Sequence, residues 1–391
     1  MMFYKCLFAT LLMMFSALTS LHATNSAEQG DYRISFITCH AGEASYELYG
    51  HTALRVVNAK NGLDWAYNYG IFDFDSPGFT WRFVLGETDY MLAGAPFNRF
   101  LRLYASQGRR VDEQLLNLTN EEARNLAEAL EINARPENRV YRYNFFQDNC
   151  VTRALDMVEA NIQGKLVMPP PHSGKTFRRM VNEHTAISPW DQFGQNLLLG
   201  QNADTLIGLR GQCFSPLYTE RFLADAVIID TLGNSRPLVK QTNTLVQGTP
   251  IDSVSSSVPT IVLFILFFGS WLITRKGQTR LFHVLDNSLL VISGLGGLLL
   301  FILCGFSSHP AVGQNWSLLI FNPLSLVFIP LQWWWKRKGM KNYAAYIQLA
   351  CILVYVLVTQ VLQIQEALPA MWMIVATLAI VNLRKLTSPK K

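Results

Sequence analysis

Two short stretches carry the residue types that thiol catalysis requires. FQDNCVTR places Cys150 directly after Asp148 and Asn149, at the start of a segment with a helical pattern. The positive end of a helix dipole and its unpaired backbone N–H groups both lower the pKa of a thiol. Far upstream, YGHTALRV places His51 at the start of a predicted strand. A Cys and a His on separate elements can act as nucleophile and general base, so we predict that Cys150 and His51 form a catalytic pair.

A third group usually orients the histidine of such a pair. Four residues are candidates that the sequence does not rank: His40, Glu43, Tyr46 and Asn68. Beside the thiol, Asp148 and Asn149 are predicted supports. The alternatives are a buried structural thiol for Cys150, a satisfied sheet histidine for His51 and an exposed turn histidine for His40. The remaining histidines lack metal-ligand spacing with any cysteine, so we predict no metal site and no cofactor.

Two arginines flank the catalytic stretches and are candidates for binding a phosphate group. Arg55 follows His51 and Arg153 follows Cys150, and the planar guanidinium suits phosphate oxygens. An ordinary surface ion pair is the alternative for each. An aromatic run between the two stretches is typical of a core, and part of it could line a groove for an acyl chain. Its members are Trp65, Tyr67, Tyr69, Phe72, Phe74, Phe79, Trp81 and Phe83.

The composition predicts an exported domain followed by a membrane domain. Of the 391 residues, 50% are hydrophobic and 16% are charged, against about 25% charged in ordinary soluble domains. Residues 1–23 have the pattern of a signal peptide, with an uncleaved anchor as the alternative. The net charge of +5 lies largely in clusters between apolar runs, which indicates membrane topology and not nucleic-acid binding. The exported part contains Cys39, Cys150 and Cys213, and a disulfide between the first and third would leave Cys150 free.

Residues 24–232 predict an α+β domain with an antiparallel sheet and with Cys150 where a strand meets a helix. The sequence FTWRFVLGETDYMLAG predicts a strand pair around Gly86, and residues 119–133 predict a helix with a capping box from Thr119 to Glu122. Residues 233–257 are rich in Ser, Thr, Pro and Gln, so we predict a linker or an edge hairpin there.

Residues 258–391 predict a bundle of five transmembrane helices, at about 259–274, 284–306, 316–333, 343–364 and 370–383. Basic clusters follow the first, third and fifth spans, and the loops after the second and fourth contain no Lys or Arg. The positive-inside rule therefore places the C-terminus in the cytoplasm and the N-terminal domain on the opposite side. The loop between spans two and three faces that domain. His309, Asn315 and Asn322 lie on or near this loop and are candidates for the floor of a lipid site, with ordinary interfacial residues as the alternative.

The order of the motifs, GHTALRV before DNCVTR, is the reverse of papain. It resembles circularly permuted papain-like enzymes of the NlpC and lecithin:retinol acyltransferase type. More closely, the chain resembles the Lnb-type lipoprotein N-acyltransferases, in which a periplasmic domain precedes a membrane bundle. The stretches that carry this resemblance are FITCHAGE, LYGHTALRV, YNYGIFDF, LNLTNEEA, YRYNFFQDNCVTR and SSHPAVGQNWSLLIFNPL.

The resemblance implies a bacterial inner-membrane enzyme with a phospholipid acyl donor and a diacylated lipoprotein acceptor. Cys150 would take the acyl chain as a thioester, and the α-amine of the diacylglyceryl-cysteine would then receive it. The main alternative is an exported papain-like peptidase or amidase that cuts cell-wall peptides. A lipase that transfers the chain to water and a sensor without enzymatic activity are further alternatives.

Overall fold

An antiparallel sheet of seven strands forms the centre of the N-terminal domain in the computed structural model, which describes residues 31–73, 75–251 and 254–387. The predicted signal peptide, residues 1–23, lies outside the described residues. In chain order the strands are β1 Tyr32–Cys39, β2 His51–Asn58, β3 Leu63–Ile71, β4 Asp89–Pro96, β5 Val111–Leu116, β6 Val140–Arg142 and β10 Val239–Val246. Their spatial order is β10-β5-β1-β2-β3-β4-β6. In the same described part, β7 Lys165–Val167, β8 Val227–Ile229 and β9 Ser235–Pro237 form a second sheet.

Helices cover both faces of the large sheet. Those of the N-terminal domain are α1 Phe79–Leu85, α2 Phe97–Ser106, α3 Asn120–Asn133, α4 Cys150–Asn161, α5 Phe177–His184, α6 Pro189–Leu198, α7 Leu209–Gln212 and α8 Pro216–Ala224, with a 3-10 turn at Gln201–Asp204. Phe36 of β1 belongs to the core with α3 and α4, whereas its neighbour Ile37 belongs to the smaller core with α2. Successive residues of a strand point to opposite faces, and all six residues from Ile34 to Cys39 are buried because helices cover both faces of the sheet.

Two sequence predictions in this domain are wrong in part. The first half of the segment predicted as a strand pair around Gly86 is helix α1, and only the second half is strand β4. Gly78 and Gly86 bracket α1 with left-handed backbone conformations, which glycine adopts without strain. The segment 233–257 is not only a linker, because β9 joins the small sheet and β10 pairs with β5 at the edge of the large sheet. Of the two predicted forms of this segment, a linker or an edge hairpin, the edge hairpin is closer to the observed strands β9 and β10.

Five helical segments among the described residues are long and apolar enough to cross a membrane. They are Val258–Arg275, Arg280–Phe306, Trp316–Arg337, Tyr343–Val361 and Pro369–Thr387. The regular helices within them are α9 Val258–Arg275, α10 Arg280–Phe306, α11 Leu324–Arg337, α12 Tyr343–Val356 and α13 Pro369–Thr387, with a 3-10 turn at Trp316–Leu319 and a π-helical turn at Leu357–Val361. Each span contacts its neighbour in the chain, and α13 also packs along α9, so the spans form a closed ring. The predicted architecture, an α+β domain followed by five spans, is confirmed.

Candidate active site

Cys150 occupies the first position of α4, and the residue before it builds that helix start. The side-chain oxygen of Asn149 accepts hydrogen bonds from two backbone N–H groups of the first turn, both at 3.0 Å. The hydroxyl of Thr152 in turn accepts from the Asn149 N–H at 2.8 Å, which completes a capping box. The Asn149 amide also donates to the carbonyls of Phe145 at 2.9 Å and Phe214 at 2.8 Å. Asn149 therefore fixes the position of the thiol through the backbone.

His51 is the first residue of β2, so it lies at the end of the sheet where α4 also begins. Its ring Nε2 hydrogen-bonds to the side-chain oxygen of Asn68 on β3. An amide oxygen only accepts, so Nε2 carries the proton and Nδ1 is left to accept the thiol proton of Cys150. Asn68 is thus the one residue of the four orienting candidates that the structure places in contact with His51.

The two groups shift each other's ionisation. Burial by itself would raise the pKa of the Cys150 thiol, but the adjacent charge and hydrogen bond of His51, with the backbone N–H groups of Thr52 and Val151, lower that pKa below its ordinary value. For His51 burial acts in the opposite direction and would lower the pKa of the imidazole. The Cys150 charge and the hydrogen bonds with Cys150 and Asn68 outweigh burial and raise this pKa. Both shifts favour the thiolate and imidazolium pair over the neutral pair.

Gly70, the last residue but one of β3, lies directly against the pair. Its φ is +88°, a conformation that favours glycine. A Cβ at this position would lie 3.7 Å from the Cβ of Cys150 and 3.7 Å from Cε1 of His51. The sequence contains this glycine in YNYG, two residues after Asn68, but nothing local indicates that it faces the thiol.

Tyr104 and Arg109 complete the surroundings of His51, and sequence reasoning missed both. The Tyr104 ring stacks on His51 with 6.4 Å between ring centroids and 12° between planes. The Arg109 guanidinium lies 4.7 Å from the Tyr104 centroid, donates to the His40 carbonyl at 2.9 Å and pairs with Glu47 at 3.2 Å. This buried cation holds the segment that leads into His51. No motif marks either residue, because Tyr104 reaches the site through the packing of α2 and Arg109 through the segment that follows this helix.

The other orienting candidates lie apart from the His51 ring. His40 is half-buried and hydrogen-bonds to Asp112 at 2.7 Å, while Glu43 is exposed and Tyr46 is 70% exposed. His40, Asp112 and Glu220 present ligand atoms within 4.8 Å of one another, a cluster that the sequence did not reveal. The same Asp112 oxygen accepts from Arg110 at 2.7 Å, so the cluster is arranged as an ion-pair network and we assign no metal to it.

The two arginines proposed for phosphate binding are engaged in ion pairs. Arg153 makes two hydrogen bonds to Asp148, at 2.6 and 2.8 Å. Arg55 makes two to Asp64, both at 2.7 Å, and one to Glu113 at 2.9 Å. Asp148 is thereby committed to Arg153, and the geometry favours the ion-pair alternative for both arginines.

The polar residues of the membrane loop bind protein groups. His309 donates from Nε2 to the Phe83 carbonyl at 2.8 Å, and buried Asn315 donates to the Leu197 carbonyl at 2.7 Å. The Asn322 oxygen accepts from the backbone N–H of Leu324 at 3.0 Å. His309 and Asn315 therefore dock the loop onto the N-terminal domain, and lipid contact by these three residues remains a prediction.

Comparison with known families now identifies the chain. Residues 20–182 match the Lnb N-terminal periplasmic domain, and residues 252–391 match the Lnb transmembrane domain. The chain belongs to the Lnb family. This Lnb-family protein is a multi-pass inner-membrane protein whose N-terminal domain lies in the periplasm, as predicted. Membership agrees with an acyltransferase concerned with lipoproteins. No curated protein and no solved structure matches the chain.

Proposed function

We propose that this protein is a lipoprotein N-acyltransferase that uses Cys150 to carry the acyl chain. The observation that carries the proposal is the hydrogen-bonded series Cys150, His51 and Asn68. A thiol with a lowered pKa, a base beside it and an amide that orients the base are the parts that acyl transfer through a thioester requires. The family match supports acyl transfer as the reaction class.

In the first half-reaction the Cys150 thiolate attacks the carbonyl carbon of a phospholipid acyl ester. A sulfur–carbon bond forms and the carbon–oxygen bond to glycerol breaks. The leaving alkoxide takes the proton that His51 holds, and lysophospholipid departs. The positive end of the α4 helix dipole, where Cys150 lies, favours the negative charge that develops on the carbonyl oxygen.

In the second half-reaction the α-amine of a diacylglyceryl-cysteine at a lipoprotein N-terminus attacks the thioester. A nitrogen–carbon bond forms, the sulfur–carbon bond breaks and the sulfur leaves as thiolate. His51 accepts the proton that the amine loses, which restores the ion pair. The amide is made at the expense of the original ester, so the reaction as written needs no nucleotide and no metal.

The catalytic domain is attached to a bundle of membrane spans, which agrees with a reaction between two lipid substrates in one leaflet. The loop 307–315 bonds to the catalytic domain through Asn315, and the backbone N–H of Gly200 donates to the Ala311 carbonyl at 2.8 Å. A catalytic domain held at the membrane surface turns a search in solution into a problem of positioning.

The proposal is tested with the purified full-length protein in detergent micelles that contain phosphatidylethanolamine. Intact-protein mass should show one added acyl chain that hydroxylamine removes, and peptide mapping should place it on Cys150. Adding a diacylated lipopeptide should then discharge the adduct and give the N-acylated lipopeptide together with lysophospholipid. The Cys150→Ala variant should do neither, whereas Cys351→Ala, a half-buried thiol in α12, should behave as wild type.

Other products would overturn the proposal. The nucleophile assignment would be contradicted if Cys150 stayed unmodified in the wild type and the Cys150→Ala variant kept full activity. Release of free fatty acid without lipopeptide acylation would indicate a lipase. Cleavage of a cell-wall peptide by the same preparation, without change to either lipid, would favour the peptidase alternative.

A further inference from the structure

Helix α1 is apolar around most of its circumference, yet none of its residues is buried. Its sequence, FTWRFVL, contains five large apolar residues: Phe79, Trp81, Phe83, Val84 and Leu85. Because successive residues of a helix are about 100° apart, these five are spread around the axis. The protein leaves 56% of Trp81 and 47% of Phe83 exposed. A helix of this kind is ordinarily covered by a protein core or by lipid, so we expect an apolar phase outside the protein to cover α1.

Hydrogen bonds fasten α1 to the loop between the second and third spans. The Ser308 backbone N–H donates to the Leu85 carbonyl at 2.8 Å, and the Ser308 hydroxyl donates to the Gly86 carbonyl at 2.8 Å. The His309 imidazole donates to the Phe83 carbonyl at 2.8 Å. Glycine permits this close approach, because a Cβ at Gly86 would lie 2.6 Å from the Ser308 hydroxyl oxygen. Helix α1 is therefore fixed to the periplasmic end of the second span.

This attachment sets the depth of α1 relative to the bilayer. The second span ends at Phe306, two residues before Ser308, and two residues of chain cover at most about 7 Å. The headgroup layer on each side of the hydrocarbon is about 5 to 8 Å thick, so α1 lies at the level of the headgroups. Phe306 is 66% exposed and Phe301 is 50% exposed on the same span. The span and α1 contact each other, so the exposed side chains of α1 continue the lipid-facing surface of the span.

We propose that α1 inserts into the periplasmic leaflet beside the second span and that phospholipid is its partner. Trp and Phe are the side chains that interfacial segments place at this depth. The helix itself has no acidic residue and one basic residue, Arg82, so it carries no negative charge that would repel lipid phosphates. A protein partner would have to enter the layer that lipid fills around the span. The proposal holds whichever reaction Cys150 carries out.

The place of α1 in the chain connects this lipid contact with the candidate active site. Helix α1 begins nine residues after Gly70, the glycine that lies against Cys150 and His51. The Phe79 ring of α1 also packs on Phe72, just beyond the end of β3, with 5.6 Å between ring centroids. Insertion of α1 therefore keeps this end of β3 near the bilayer surface.

The first test is photocrosslinking in nanodiscs of phosphatidylethanolamine and phosphatidylglycerol that each hold one copy of the full-length protein. The photoreactive residue p-benzoylphenylalanine replaces Trp81 and, in a separate preparation, Leu232. Leu232 is the control because it is 87% exposed in the turn between β8 and β9. Illumination should add the mass of one phospholipid at position 81 and none at position 232. Lipid adducts at both positions, or at neither, would overturn the proposal.

The second test leaves α1 unchanged and measures its contact with water by hydroxyl-radical footprinting in the same nanodiscs. The variant Leu232→Trp supplies an indole at a water-exposed position as the reference. Lipid shields an inserted side chain, so Trp81 should be oxidised at least about fivefold more slowly than the reference indole. More than half of Trp81 is free of protein contact, so the protein alone does not account for such protection. Equal oxidation of the two indoles would show that water covers α1 and would contradict the proposal.

The number of copies in each nanodisc separates lipid from a protein partner. With one copy, only lipid can protect Trp81 or form an adduct at position 81. Protection that appears only in discs with two copies, together with a crosslink from position 81 to the second chain, would assign the surface to self-association and overturn the proposal. Neither measurement involves acyl transfer, so failure of this inference and failure of the proposed function are distinguishable.

Discussion

At the scale of residues, the reactivity of Cys150 depends on a balance between burial and charge. The thiol is only 8% exposed, which by itself disfavours the thiolate. The His51 charge and three hydrogen bonds reverse that effect and lower the pKa. The pKa of His51 is raised at the same time, against the effect of burial and mainly by the Cys150 charge, so the two shifts act in the same direction and stabilise the thiolate beside the imidazolium.

Alkylation of Cys150 by iodoacetamide should therefore reach half of its maximal rate at a pH below the ordinary cysteine range. In His51→Ala the charge and the hydrogen bond of His51 are lost, while burial and the two backbone N–H groups remain, so the midpoint should rise by at least about one pH unit. Mass mapping separates Cys150 from Cys213, whose pKa is raised to about 11, mainly by burial. Equal midpoints in wild type and His51→Ala would show that the two groups do not interact.

Asn68 is expected to act as a positioning residue for His51. Asn68→Ala should lower kcat for acyl transfer by about tenfold to a hundredfold with little change in KM, because the ring loses its orientation and not its contact with substrate. The alkylation midpoint of Cys150 should rise in the same variant. His40→Ala is the control, since His40 binds Asp112, and it should leave both readings unchanged. A change in KM alone would contradict a positioning role.

At the scale of elements, the start of α4 is the feature that places the nucleophile. A helix leaves its first N–H groups without intrahelical partners, and Asn149 satisfies two of them while the thiol takes the first helical position. The positive end of the helix then lies against the sulfur. The same capping geometry occurs at α3, where Thr119 and Glu122 form a capping box away from the catalytic pair.

This pair of caps offers a matched comparison. Asn149→Ala and Thr119→Ala should each destabilise the protein by about 1 kcal/mol, with Asn149→Ala at the larger end because its amide also binds two carbonyls. Thermal unfolding measures this loss. Only Asn149→Ala should also slow thioester formation, because only its helix carries the thiol. Equal effects of the two variants on thioester formation would mean that the cap acts through stability alone.

At the scale of the whole molecule, the periplasmic domain and the membrane bundle are joined by specific contacts. Asn315 bonds to Leu197 of α6, and the Trp316 indole donates to the side-chain oxygen of Gln201 at 2.7 Å. The oxygen of Gln365, between the fourth and fifth spans, accepts from the Trp316 backbone at 2.9 Å. The first two contacts hold the N-terminal domain against the loop, and the third holds the loop against the bundle.

Weakening the contacts between the periplasmic domain and the membrane loop should slow the reaction of a membrane-bound donor more than that of a soluble donor. Asn315→Ala removes a buried donor and leaves the Leu197 carbonyl without it, so KM for a dipalmitoyl donor in nanodiscs should rise several-fold while a dihexanoyl donor keeps its rate. Arg179→Ala is the control. It breaks the 2.8 Å ion pair with Glu366, but both side chains are about half exposed, and such pairs contribute little. Equal effects of the two variants would argue against docking through Asn315.

The sequence by itself determined those features that depend on neighbouring residues. Spans were predicted correctly because apolar length is a local property, and the capping box at Thr119 was visible because its two residues are three apart. The helix start at Cys150 follows from the Asn149 that precedes it. Helix α1 was predicted as a strand because its aromatic residues favour strands. With about two turns, the helix is also too short for its hydrophobic periodicity to show in the sequence.

Only the tertiary structure decided which distant residues meet. The sequence did not rank His40 and Asn68 as the residue that orients His51. In the folded sheet His40 hydrogen-bonds to Asp112, whereas Asn68 hydrogen-bonds to His51. Likewise, Tyr69 and Phe72 are three residues apart, yet the Tyr69 hydroxyl donates to Asn133 while the Phe72 ring packs on Phe79. Contacts of this kind depend on strand register and on the packing of helices against the sheet. Those are long-range properties, which no local pattern of residue types contains.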